Sequence, residues 1–151
     1  MKLYLDMCVY NRPFDDQSQP RIVIETQIVV VLLLMASQGY LDLINSFALA
    51  YENSRNPKIE NRIRISDLLE FSSDYISFDE QIINKALEHE NMGISGMDAL
   101  HVACAEKAKV DFFVTCDDRL INKLKKTPDL KVSCCSLLEF VSQEVFTQWE
   151  I

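Results

Sequence analysis

Four acidic residues occupy positions from which a folded α/β chain does chemistry. Asp6 ends the apolar run KLYLD, Glu52 lies within FALAYENSR, Asp98 opens the segment MDALHVACA, and Asp117 follows FFVTC with Asp118 beside it. In an open parallel sheet, ligands bind beyond the carboxyl ends of the strands. Asp6, Asp117 and Asp118 fall at such ends if the two apolar runs are strands. Carboxylates gathered there without a lysine or arginine for each repel one another unless a divalent cation binds them. An all-oxygen donor set selects Mg²⁺ or Mn²⁺ over Zn²⁺. Such a site polarises a phosphoryl oxygen and helps deprotonate an attacking water, so the reaction class is phosphodiester hydrolysis.

Each acid also has a purely structural role open to it. Asp6 can satisfy backbone amides at a strand end. Ser95-Gly96-Met97-Asp98 fits the Ser-x-x-acid capping box, and one of Asp117 and Asp118 is expected to cap the helix that follows. Glu52 sits among Phe47, Leu49, Ala50 and Tyr51, where an inward-facing acid needs a partner, and a metal supplies one. His101, three residues after Asp98, is either a supporting group at the site or a core histidine with one satisfied nitrogen. Cys8 and Cys116 flank the acids with no His-Asp relay in view, which argues against a cysteine nucleophile. With 3 glycines and no P-loop, G-x-G-x-x-G or G-x-S-x-G, the chain does not build a phosphate-cradling loop.

The elements that must position these acids follow from patterning. KLYLD reads as a central strand, since strands buried on both faces are continuously apolar. The stretch after it, rich in Asn, Pro, Asp and Ser, reads as a loop with room for one turn of helix. A helix is expected over 20–38, from Pro20 to the closing Gly39, too apolar around its circumference to face solvent alone. It should lie against the sheet or form an oligomer contact. Next come strand 40–46, with Ser46 capping the helix of Glu52, a helix from Pro57, an extended piece 74–78, and a helix closed by Gly93. Helix 95–109, strand 112–115, helix 118–126, strand LKVSC (130–134) and a last helix capped by Ser136 complete the chain. Arg55, Lys58, Arg62 and Arg64 face one acid, Glu60, within residues 54–64, the strongly basic stretch of the sequence; it is either a solvated helix face or a phosphate-contacting rim beside Glu52.

The alternation of elements predicts a three-layer α/β/α sandwich around a parallel sheet of four or five strands. The 151 residues suit one domain, 1–151, with 48% hydrophobic and 25% charged residues. A net charge of −8 argues against holding nucleic acid by charge alone. Five cysteines without zinc spacing read as reduced thiols of a cytoplasmic protein. No signal peptide is expected, and Glu25 and Gln27 leave the apolar run 22–36 too short for a membrane span.

On these residues the chain resembles the PIN domain family, the nuclease fold of VapC-like toxins and related ribonucleases. The matching segments are YLD at 4–6, Ser46 with Glu52 six residues on, MDALHVACA at 97–105 and FVTCDD at 113–118. The resemblance implies Mg²⁺ or Mn²⁺ held by Asp6, Glu52, Asp98 and Asp117 as the family's four acids, with Asp118 as a neighbour or helix cap. It also implies an RNA substrate, pairing as a homodimer, and, for toxin members, a small antitoxin that inserts a basic residue at the acidic site. One departure is Met7-Cys8, where the family commonly has Ser, Thr or Asn just after its first acid. In the unusual loop that follows, Asn11, Arg12, Asp15 and Asp16 are candidates for polar roles near the metal.

Three functions compete. The first is a metal-dependent ribonuclease, the toxin of a toxin–antitoxin pair. The second is an inactive interaction module of the same fold, with its site altered at Met7-Cys8. The third, a receiver-like phosphotransfer domain, ranks last because no lysine stands at a predicted strand end to neutralise a phosphate.

Overall fold

The structure, a computed structural model, describes residues 1–145. Strand β1 (Lys2–Leu5) lies in the middle of a five-stranded sheet of order β3-β2-β1-β4-β5, with β2 Asp42–Ser46, β3 Asp74–Ile76, β4 Phe112–Thr115 and β5 Ser133–Ser136. Every neighbouring pair is parallel. Leu3, Tyr4, Leu5, Phe113 and Val114 are fully buried, as strands covered on both faces require. This is the α/β architecture read from the sequence, a parallel sheet flanked by helices.

The strand order decides where a site can form. The chain runs from β1 outward to β2 and β3, then returns to the other side of β1 as β4. Such a reversal opens a crevice at the carboxyl ends of the strands on either side of it. Leu5 pairs with Val114, which sets Asp6 and Thr115 side by side at that crevice.

The segment expected as a loop is instead helix α1 (Met7–Asn11), followed by a 3₁₀ turn at Arg12–Phe14. Asp6 starts α1 by accepting the Met7 amide, and Met7, Val9 and Tyr10 bury themselves. The polar residues that suggested a loop follow the buried ones rather than alternate with them. Helix α2 (Pro20–Ser37) begins on its proline and ends before Gly39, whose φ of +82° only glycine adopts freely. Helices α3 (Phe47–Ser54), α4 (Ile59–Leu69), α5 (Glu80–Asn91), α6 (Gly96–Ala108) and α7 (Asp118–Lys126) follow the expected order, with Ser46 and Asp79 capping α3 and α5. Strand β5 begins at Ser133, later than expected, because the Lys131 amide is tied to Glu106 on α6 and cannot yet pair with β4. Helix α8 (Leu137–Phe140) carries a full capping box between Ser136 and Glu139 and continues as a π turn, Val141–Val145.

By length and composition α2 could cross a membrane, but Ile28, Val29 and Leu32 on one side of it join the core. Its acid, Glu25, is 2% exposed. Arg12 donates to Glu25 at 3.1 Å and Arg21 donates to its other oxygen, while Arg21 also forks onto Asp118 at 2.8 and 2.9 Å. This network ties α2 to the turn after α1 and to the start of α7. Burial works to raise the Glu25 carboxyl, but hydrogen bonds from Cys116, Arg21 and Arg12 hold it below the usual range. A carboxyl depressed on folding contributes stability above its unfolded range and loses it as pH falls. Glu25→Gln is therefore expected to cost about 1.5–3 kcal/mol at neutral pH, towards the lower end because Arg21 is half exposed. The gap between variant and parent in urea unfolding should narrow at acidic pH; a gap independent of pH would disprove the ionic account.

Candidate active site

Asp6 is built into the end of the central strand. Its Oδ1 accepts the Met7 N–H at 2.8 Å and its Oδ2 accepts the Thr115 hydroxyl at 2.8 Å. Thr115 Oγ1 in turn accepts the Asp117 N–H at 3.1 Å. The Cys8 thiol lies 3.2 Å from Thr115 Oγ1 and 3.5 Å from Asp6 Oδ2. Asp117 caps α7: its Oδ1 accepts the amides of Arg119 and Leu120 at 3.0 and 3.2 Å, at the end of the helix where negative charge is favoured.

Asp98, half-buried in the first turn of α6, does not form the expected capping box. Ser95 makes no side-chain cap bond, and its hydroxyl lies 3.4 Å from Asp98 Oδ2 instead. Burial raises the Asp98 carboxyl above its ordinary range, and the charges of Asp6 and Asp117 raise it further against the opposing pull of His101. Three carboxylates thus share one electrostatic neighbourhood. None of Asp6, Asp98 and Asp117 forms an ion pair with a lysine or arginine among the described residues. Asp98 and Asp117 line one hollow of about 200 Å³ with Arg119 and Lys123.

Glu52 lines a different depression from Asp98 and Asp117. The partner it needs is a histidine: His101 Nε2 lies 2.7 Å from Glu52 Oε1. His101 Nδ1 lies 2.7 Å from the Tyr4 hydroxyl, which is 2.6 Å from Ser46 Oγ. With Ser46 donating to Tyr4, Tyr4 to Nδ1 and Nε2–H to the carboxylate, every polar group in the row is satisfied. Glu52 opens onto a cleft of about 1040 Å³ whose lining includes Met7, Asn11, Asp15, Arg55 and Lys58. Arg55 and Lys58 therefore flank Glu52 as a rim, whereas Arg64 lies over the Phe14 ring.

The remaining candidates separate from the site. Asp118 is held by Arg21, and Arg12 is held between Asp15 and Glu25. Asn11 keeps a place on the cleft wall. Sequence reasoning missed Thr115, Tyr4 and Ser46 as supporting groups; the Val-Thr-x-Asp spacing that places a hydroxyl two residues before Asp117 was the available signal for the first.

A PIN domain family model matches residues 9–126, well over half of the chain. The chain belongs to the PIN domain family. Glu52, Asp98 and Asp117 lie inside the matched segment and Asp6 just before it. PIN domains are generally nucleases and generally use divalent metal ions. The fold of this PIN domain is shared by a solved structure of VapBC2 from Rickettsia felis bound to a DNA fragment from their promoter. That likeness has a TM-score of 0.56 at 17% identity and covers 90% of this chain and 98% of that one. No curated protein matches the sequence.

The residues of this PIN domain fit a hard divalent cation by chemistry: they are oxygen donors, they form no ion pair with a lysine or arginine among the described residues, and burial, then the charges of Asp6 and Asp117, raise the Asp98 carboxyl. No group of three or more His, Cys, Asp or Glu among the described residues stands close enough to enclose an ion. Mg²⁺ does not require one, because it keeps several waters and takes only one or two carboxylates directly.

Removing the Tyr4 hydroxyl leaves His101 Nδ1 buried without a donor and the Ser46 hydroxyl without its acceptor. Tyr4→Phe is expected to cost at least about 1–3 kcal/mol in urea unfolding, the cost of a single orphaned buried group. A change below a few tenths of a kcal/mol would show that the row carries no net energy.

Proposed function

We propose that this PIN domain is an Mg²⁺- or Mn²⁺-dependent endoribonuclease, with Asp6, Asp98 and Asp117 holding the cation or its waters and Glu52 acting beside them. The observation that carries the reading is the set of three uncompensated carboxylates at the strand-order reversal. A cation bound there supplies charge on a phosphoryl oxygen and makes a nearby water easier to deprotonate. The chain's own groups do the positioning. Thr115 and the Met7 amide fix both oxygens of Asp6, and the first turn of α7 fixes Asp117. His101 orients Glu52 on the wall of the cleft, where its carboxylate would take a proton from an attacking water. Arg55 and Lys58 contact backbone phosphates, which position the strand without reading its sequence.

The partners follow from the same charges and from the family. Carboxylates without cations suit a small antitoxin that places a basic side chain among them, and the fold's likeness to VapBC2 supports the toxin half of such a pair. The exposed apolar residues Ile24, Val30, Val31 and Leu34 on α2 suit a second copy of the chain. Reduced thiols at Cys8, Cys104, Cys116 and Cys134 suit the cytoplasm.

The expected outcome is cleavage of single-stranded RNA that requires Mg²⁺ or Mn²⁺ and falls by more than about 100-fold in Asp98→Asn, beyond what loss of a merely supporting group produces. Circular dichroism of the variant should match the parent. If calorimetry detects no Mn²⁺ binding to the parent, the reading passes to the inactive interaction module, with Cys8 against Asp6 as its altered site. Light scattering should give twice the chain mass in solution and a single chain mass for Leu34→Glu.

A further inference from the structure

Residues 54–64 are not the sole basic feature of the folded chain. Helix α7 buries Leu120, Ile121 and Leu124 and presents Arg119, Asn122, Lys123 and Lys126 on its exposed side. These four are spaced i, i+3, i+4 and i+7, so they form one row along the helix. They line a single concavity of about 450 Å³. Arg119 and Lys123 also line the hollow that holds Asp98 and Asp117, so these two side chains border both depressions.

The row is not an ordinary solvated face. Among the described residues Arg119, Lys123 and Lys126 pair with no acid, while Lys125, off the row, pairs with Glu139 at 2.9 Å. Like charges three and four residues apart destabilise a helix by about 0.2–0.5 kcal/mol per pair. The helix dipole accounts for the lysines of the last turn but disfavours Arg119 in the first. In a chain of net charge −8, three unneutralised cations in a row that starts at the acids have a geometry suited to a polyanion leading to those acids.

We infer that the α7 row is a second phosphate track, along which the sugar–phosphate backbone of a single-stranded RNA lies as it reaches Asp98 and Asp117. The inference rests on the ribonuclease reading and names the face its substrate follows. The contacts are to phosphates, so the track is indifferent to base sequence. The strand runs from the α7 row past the acids towards Arg55 and Lys58.

The test is fluorescence anisotropy of a labelled single-stranded RNA with the full chain in EDTA, across a range of salt. Each phosphate contact to a single strand contributes about 0.7 to the slope of log affinity against log salt. Lys123→Ala/Lys126→Ala is expected to flatten that slope by about 1.4, so that about 7-fold less affinity is lost between roughly 50 and 200 mM salt. Lys85→Ala/Lys107→Ala removes the same charge from α5 and α6 and should leave the slope unchanged. Equal slopes in the α7 variant and the parent, an equal fall in both double variants, or no binding by the parent each overturn the track. Displacement of the RNA by polyglutamate at lower concentration than by unlabelled RNA assigns the row to an acidic protein and overturns it too. Metal-dependent cleavage with an unchanged slope sinks the track and spares the nuclease; a flattened slope without cleavage does the reverse.

Discussion

Mutual repulsion among Asp6, Asp98 and Asp117 is the constraint around which the rest of the molecule is arranged. Three acids without cationic partners separate unless something stiffer holds them, and each is anchored by a different device. Asp6 is fixed by the strand that bears it and by bonds to both of its oxygens. Asp117 is fixed by two amides at the start of α7. Asp98 accepts the Ser95 hydroxyl at 3.4 Å and is held by α6, whose Ala99, Val102, Ala103, Cys104 and Ala105 are buried in the core. Burial and then the charges of Asp6 and Asp117 raise its carboxyl. Core burial thus maintains an electrostatic arrangement that is unfavourable by itself, a familiar feature of sites that await a charged ligand.

Strand β1 links that core to the site. Tyr4 and Asp6 lie two residues apart, and such residues in a strand share a face. Tyr4 stacks on Phe113 with ring centroids 5.7 Å apart while its hydroxyl bonds both His101 and Ser46. One fully buried side chain therefore packs the core and orders the histidine that orders Glu52. The second histidine serves a different end. His89 Nε2 bonds Glu106, whose other oxygen accepts the Lys131 amide, so α5, α6 and the approach to β5 are clasped together away from the acids. Among the described residues His89 Nδ1 meets no hydrogen-bond partner, in contrast to the fully satisfied ring of His101.

The fold was legible because its signals are local. Continuous apolar strands, Ser46 as a cap and Gly39 and Gly93 as helix ends fell where composition placed them, β5 starting later. The extent of α1 was not legible: Met7, Val9 and Tyr10 are buried by tertiary packing, and five residues give no helical period to read. Of the candidate site, what the sequence offers is residue types at predicted strand ends, and the fold carries Asp6 and Asp117 to one sheet edge whatever their partners. Partners were not legible. Glu52 needed one on physical grounds, but that it is His101, 49 residues away, follows from the packing of α3 against α6. The Glu25 network shows the same limit, with an acid in an apolar helix announcing a need that Arg12 and Arg21 meet only in three dimensions. The α7 row was overlooked because its lysines, counted along the chain, include Lys125, which faces elsewhere and is neutralised.

Net charge and local charge act over different distances, and this reconciles an acidic chain with an anionic ligand. The field of eight excess negative charges is screened over about 8–10 Å at physiological ionic strength. Beyond that distance a polyanion meets little of it; within that distance the arrangement of individual cations decides. Cations stand on two flanks of the acids, Arg55 and Lys58 on the cleft wall and the α7 row beyond Asp117. Added salt weakens the general repulsion and the local attraction together, but the second involves desolvated contacts and released counterions and so dominates the bound state. On the proposed reading, an acidic protein built this way would discourage casual binding of nucleic acid over most of its surface and admit it along one path, with placement set by where the few positive charges are left without an acid.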